Sequence, residues 1–98
     1  MIHEIRTYTL IPGGVPEYLR IYNEIGRAVQ VRLLGNLIAL LQPETGDLNQ
    51  LVYIWGFKDL AIRTERRATL AADSEFAAYR KAVRHLLVRQ ENRLLTVA

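Results

Sequence analysis

The stretch from Leu48 to Phe57, LNQLVYIWGF, constrains the fold of this chain more than any other. Read alternately, Asn49, Leu51, Tyr53, Trp55 and Phe57 fall on one side, and Gln50, Val52, Ile54 and Gly56 on the other. Both sides are largely apolar, and the segment is rich in β-branched and aromatic residues. A central strand reads this way when both faces of its sheet are covered. The polar groups of Asn49, Tyr53 and Trp55 share one face, where buried N–H and O–H groups need partners.

The remaining elements arrange themselves around that strand. Ile2 to Leu10 alternates, with Ile2, Glu4, Arg6, Tyr8 and Leu10 on one face, and Ile11-Pro12-Gly13-Gly14 ends it. A helix is predicted from near Gly14, with Pro16 in its first turn and an apolar stripe through Val15, Leu19, Tyr22, Gly26 and Val29. Its end falls between Val29 and Arg32, and Gly26 inside it points to a close backbone approach. Asn36 to Gln42 is a second strand, and Pro43 to Asp47 turns it into an antiparallel hairpin with the organising strand. Asp59 suits an N-cap for a helix over Leu60 to Ala72. Asp73-Ser74 interrupts that helix with a second cap, Ser74 itself reading as a capping residue, and a further helix spans about Glu75 to His85. Leu87 to Val97 closes the chain as a strand.

The resulting order, β-α-β-β-α-β, predicts an α+β, ferredoxin-like domain over residues 1–98, with a four-stranded antiparallel sheet and helices on one face. The first and third strands then lie at the centre. Two helical crossovers cover only one sheet face, yet the strands are apolar on both. A second copy of the sheet is the simplest cover, so a homodimer is expected.

A chain of 98 residues makes one domain and buries roughly two-thirds of its unfolded surface. Half its residues are apolar, which argues against disorder. There is no cysteine, which excludes disulfides, thiolate metal sites and a cysteine nucleophile. The longest apolar run, Leu37 to Leu41, is far short of the ~18 residues a membrane span needs. Glu4 and Arg6 interrupt the N-terminal segment, which does not read as a signal peptide, so a cytoplasmic protein is expected. The net charge of +3 is spread over arginines interleaved with acids, so neither nucleic acid nor a membrane is expected as partner. The Arg63/Arg66/Arg67 cluster reads as solvated, or paired with Glu65 and Asp59. His3 and His85 lie far apart with no converging ligands beside them, so no metal is expected, and no cofactor.

Three segments carry a family resemblance: the opening IHEIRTYTLIPG, the stretch LNQLVYIWGFKDLAIRTERRATLAADSEF and the closing LLVRQENRLL. They resemble the NIPSNAP family over nearly the whole chain, most specifically at Glu4, Arg6, Thr7 and Tyr8, at Asn49, Gln50 and Trp55, and at Gln90, Asn92 and Arg93. The resemblance implies a dimeric α/β barrel, in which two ferredoxin-like sheets pack face to face. That superfamily includes cofactor-independent monooxygenases, haem-degrading enzymes, isomerases and proteins without known chemistry, so the resemblance implies fold and assembly more than reaction. Where the family commonly has histidine between Asn49 and Trp55, this chain has Tyr53. An unperturbed phenol, with pKa ~10, offers a hydrogen bond rather than a base near neutral pH.

With the first and third strands adjacent and in suitable register, Arg6, Tyr8, Asn49, Tyr53 and Trp55 share a face and form the candidate binding constellation. Arg6 would bind a carboxylate or enolate, Asn49 and Tyr53 would donate hydrogen bonds, and Trp55 would stack on an aromatic ligand. The competing reading is a satisfied interior, with Glu4 paired to Arg6 and the aromatics simply packing. Gln90, Asn92 and Arg93 would rim the same pocket or bond across a dimer interface. Two functions follow. One is a homodimeric small-molecule-binding protein for an aromatic or carboxylate ligand, open to cofactor-free oxygenase- or isomerase-type chemistry, with no catalytic residue assigned. The other is a non-catalytic protein-interaction module.

Overall fold

The two strands with the most regular alternation lie side by side at the centre of the sheet in the computed structural model, which describes residues 1–98. β1 (Ile2–Leu10) and β3 (Gln50–Phe57) pair antiparallel with Glu4 opposite Trp55, Arg6 opposite Tyr53 and Tyr8 opposite Leu51. β2 (Asn36–Leu41) flanks β3, and β4 (Leu87–Thr96) flanks β1. The order is β2-β3-β1-β4 with every pair antiparallel, the ferredoxin-like arrangement expected from the element order.

The first crossover is longer and less regular than its periodicity predicts. It consists of α1 (Gly14–Ile21), a π-helical turn (Tyr22–Gly26) and α2 (Arg27–Leu34). Gly26 closes the widened turn against Tyr79, and a Cβ there would lie 2.5 Å from the ring's Cδ1. The glycine therefore marks a close approach, as expected, but of a side chain on another helix. The helix continues past the expected stop to Leu34, whose side chain is fully buried. Its terminal carbonyl accepts from Arg66 Nη1 at 2.9 Å, and Gly35 then reverses the chain at φ 97°. A side chain from the second crossover thus joins Gly35 in finishing the helix end.

In the second crossover, α3 (Leu60–Ala72) and α4 (Ser74–Val83) each start on an aspartate. Asp59 Oδ1 accepts from Ile62 N at 2.9 Å, and Asp73 Oδ2 accepts from Phe76 N at 2.8 Å. The second cap is Asp73 rather than Ser74, which is the first helical residue. A single 3₁₀ turn, Arg84–Leu86, tightens the end of α4 before β4 begins.

The helices bury one face of the sheet. Tyr8, Leu10, Leu51, Tyr53, Trp55 and Phe57 point into them and meet Val15, Tyr18, Tyr22, Leu34, Leu70, Tyr79, Val83 and Leu86. The molecule is only 18 Å thick against 36 × 34 Å across, which leaves room for one sheet and one helical layer. The opposite sheet face has no such cover. Ile5, Val52, Ile54 and Leu95 there are half-buried by their strand neighbours alone, and Ile38 and Leu41 are exposed. No helix is long and apolar enough to cross a membrane.

Candidate functional site

Strand alternation puts Glu4, Arg6 and Tyr8 of β1 on the helix side, and Glu4 is fully buried there. An ionised carboxylate so placed must be paired. Arg63 Nη2 donates to its Oε2 at 2.6 Å, Asn92 Nδ2 at 2.9 Å and Arg6 Nη1 at 3.2 Å, while Arg67 Nε donates to Oε1 at 3.1 Å. Burial by itself would push this carboxyl up. The hydrogen bonds from Arg63 and Asn92 and the charges of Arg67 and Arg6 outweigh it and hold the pKa at about 2.

The expectation that the Arg63/Arg66/Arg67 cluster is solvated, or paired with Glu65 and Asp59, is corrected here. Arg63 and Arg67 reach under the helical layer to Glu4, and Arg66 caps α2. Helix geometry gives the reason. Residues 63 and 67 are four apart and share a face, whereas Glu65 is two from each, about 200° round the helix. Asp59 does stand four residues before Arg63, but it is committed to the N-cap of α3, so two arginines on one face of an alanine-rich helix were the available signal for a distant acidic partner.

Arg6 is held from a second side as well. Its Nε donates to the Tyr8 hydroxyl at 3.0 Å, and its guanidinium lies 5.7 Å from that ring's centre. Since Tyr8 accepts here, its own proton is left to donate to another oxygen.

Beside this cluster, between β1, β4 and the helices, opens a cleft of about 270 Å³. β1 contributes Arg6 and Tyr8, β4 contributes Leu87 and Gln90, and α1 contributes Tyr18. Arg67, Leu70 and Ala71 come from α3; Phe76, Arg80 and Val83 come from α4, with Arg84 just beyond it. Its wall is apolar and aromatic, its polar groups are mainly guanidiniums, and no Asp, Glu, His, Cys or Lys lines it. It exists because the helical layer covers the β3 half of the sheet completely, while Gln90 and Asn92 on the inner side of edge strand β4 stay exposed.

The five sequence-predicted residues are distributed as follows. Arg6 and Tyr8 line the cleft. Tyr53 and Trp55 lie on the same sheet face but are fully buried behind it, stacked at 6.2 Å with Tyr53 edge-on to Tyr8 and Tyr22. The Tyr53 hydroxyl and Trp55 Nε1 are buried without a hydrogen-bond partner. Asn49 stands at the start of β3, where its Oδ1 accepts from Gly13 N at 3.2 Å and its carbonyl from Leu10 N at 2.7 Å. It ties the β1–α1 turn to the hairpin and does not reach the cleft. Of the second group, Gln90 lines the cleft, Asn92 serves Glu4, and Arg93 pairs in register with Ile5, on the opposite face. Residues from the second crossover, Arg67, Phe76, Arg80 and Arg84, are the ones sequence reasoning missed.

All five tyrosines of the chain belong to one aromatic cluster. Burial pushes the Tyr18 phenol up to about 12 and pushes Tyr22, Tyr53 and Tyr79 higher still. Those four are therefore hydrogen-bond donors or packing surfaces near neutral pH, not bases. No group of three or more His, Cys, Asp or Glu side chains converges as a metal site would require.

The NIPSNAP family's sequence model matches residues 3–98. The chain belongs to the NIPSNAP family. Solved NIPSNAP structures agree. A NIPSNAP-family protein of unknown function from Agrobacterium tumefaciens is 38% identical with a TM-score of 0.96, the alignment covering 100% of this chain and 88% of that one. A NIPSNAP-like domain protein from Burkholderia xenovorans is 39% identical with a TM-score of 0.95, covering 99% and 84%. An antibiotic biosynthesis monooxygenase shares the fold alone, at 17% identity and a TM-score of 0.68 over 100% of this chain and 99% of the other. No curated protein matches the chain.

Proposed function

We propose that this NIPSNAP chain is a homodimeric small-molecule-binding protein whose cleft takes an organic anion with an aromatic or apolar body. One observation carries the reading. A concave site of mixed apolar and polar lining is rimmed by Arg6, Arg67, Arg80 and Arg84 with no carboxylate among them. Arg6 and the donor proton of Tyr8 would meet a carboxylate or enolate oxygen, and Tyr18 and Phe76 would pack on the body. Such a site stabilises an anion. It holds no imidazole or carboxylate to create one, so oxygenase- or isomerase-type chemistry would act on a ligand that arrives ionised or ionises readily.

The dimer rests on the uncovered sheet face. Ile5, Ile38, Leu41, Val52, Ile54 and Leu95 lie on the uncovered face of the four-stranded sheet, and a standard interface would bury ~800 Å² on each partner.

The ligand reading is tested by thermal-shift titration of the purified protein with aromatic carboxylates. Binding to the native state raises the melting temperature by mass action. A shift with benzoate or phenylacetate that is lost in Arg80→Ala and Phe76→Ala supports the cleft. The absence of a shift across a panel of aromatic and carboxylate compounds on a well-folded protein would replace this reading with the protein-interaction module.

A further inference from the structure

The charges around Glu4 do not balance. Arg6, Arg63 and Arg67 share one carboxylate, and none of the three has another acidic partner, so two positive charges remain uncompensated at the base of the cleft. The guanidiniums are largely enclosed, with side chains only 17–19% exposed, so water screens them poorly. Two of the three, Arg6 and Arg67, line the cleft itself. Their donor capacity is not exhausted: Arg6 commits Nε to Tyr8 and Nη1 to Glu4, which leaves its Nη2 without a hydrogen bond.

We propose that the ligand of this cleft is an organic dianion, presenting two negative charges from one end to Arg6 and Arg67 and laying an apolar or aromatic body along Tyr18, Phe76 and Leu70. The inference rests on the small-anion reading above and adds the charge and its placement. A monoanion would leave the cluster with one unmatched positive charge; a dianion neutralises it. In the unliganded protein the cost of the mismatch falls on Arg67. Burial and the neighbouring Arg6 charge both press Arg67 below the ordinary guanidinium value, and Glu4 only partly opposes them. An arriving dianion relieves that repulsion, which is binding energy a monoanion cannot fully recover. Glu4 acts in this scheme as a positioning residue: it aims Arg6 and Arg67 without touching the ligand. The two common sources of such a charge are a phosphate monoester and a pair of adjacent carboxylates.

The test is isothermal titration of the full chain, at low ionic strength and pH 7.5, with three ligands on one ring: benzoate, phthalate and phenyl phosphate. At least one dianion is expected to bind ten-fold or more tightly than benzoate, and which one does so names phosphate ester or dicarboxylate. Arg67→Gln is expected to narrow the ratio to a few-fold. The unsubstituted protein gives a second readout. A phosphate monoester loses its second charge around pH 6, so phenyl phosphate should lose most of its advantage over benzoate at pH 5. The groups facing the cleft are guanidiniums and phenols, and Glu4 beneath them is held at a pKa of about 2. Equal affinity for benzoate and both dianions would overturn the dianion assignment and leave the small-anion reading intact. A ratio unmoved by Arg67→Gln would place the dianion elsewhere and overturn it too. No binding by any of the three would remove both.

Discussion

Replacing Glu4 with glutamine tests whether one buried carboxylate holds the β1–α3 contact together. The substitution keeps the shape but leaves three guanidiniums facing each other without a counter-charge. Two routes give the magnitude. Removing one partner from a buried ion pair costs about 3–5 kcal/mol, because the remaining charges stay buried. Independently, the carboxyl falls from its ordinary 4.5 to about 2 in the folded protein. At about 1.4 kcal/mol per pH unit, that gap corresponds to about 3 kcal/mol of stability. The two figures agree, and about 3 kcal/mol is a large part of the roughly 5–15 kcal/mol that holds a domain folded. Because the folded value lies below the unfolded one, the contribution is complete above pH 4.5 and is lost as pH falls through about 2. Urea denaturation of both proteins should therefore show Glu4→Gln about 3 kcal/mol less stable at pH 7, with the gap narrowing to about 2 kcal/mol at pH 3.5. Comparing the two proteins at each pH cancels the other carboxyls, including Glu17, which its exposed partner Arg20 also holds down. A gap under about 1 kcal/mol at pH 7, or one that stays constant on acidification, would refute the role given to Glu4.

Three further outcomes follow from particular contacts. Gly26→Ala should destabilise the fold by about 1–3 kcal/mol despite alanine's better helix propensity, since its Cβ would enter the Tyr79 ring; a higher urea midpoint than wild type would show that the π turn yields instead. Tyr53→Phe removes a buried hydroxyl that has no partner, so thermal denaturation should show it equal to wild type or more stable by about 1 kcal/mol; a loss above 1 kcal/mol would reveal a hydrogen bond at that atom. Ile54→Arg places a charge at the centre of the uncovered sheet face, paired with Ile5 in the register. Light scattering should find a dimeric wild type and a monomeric, still folded variant, and a monomeric wild type or an unchanged dimer would remove the assembly proposed for that face.

Strand order, the Asp59 cap and the helix break at Asp73–Ser74 were legible in the sequence because each depends on contacts within a few residues or on simple alternation, and the central pairing of β1 with β3 followed from the element order. Alternation grouped Glu4, Arg6 and Tyr8 on one side of β1 and Tyr53 and Trp55 on one side of β3, the register between the strands put the two groups on one face, and family motifs over nearly the whole chain named its kin. Tertiary structure decided where on that face a ligand could enter. The helices close over Tyr53 and Trp55 and leave the β4 side open, an outcome of how a π-containing helix and Tyr79 pack and not of any strand's own pattern. It also decided the charge of the site. Arg63 and Arg67 meet Glu4 across separations of 59 and 63 residues, and local spacing carries no information about a pairing that forms only when a helix docks on a sheet.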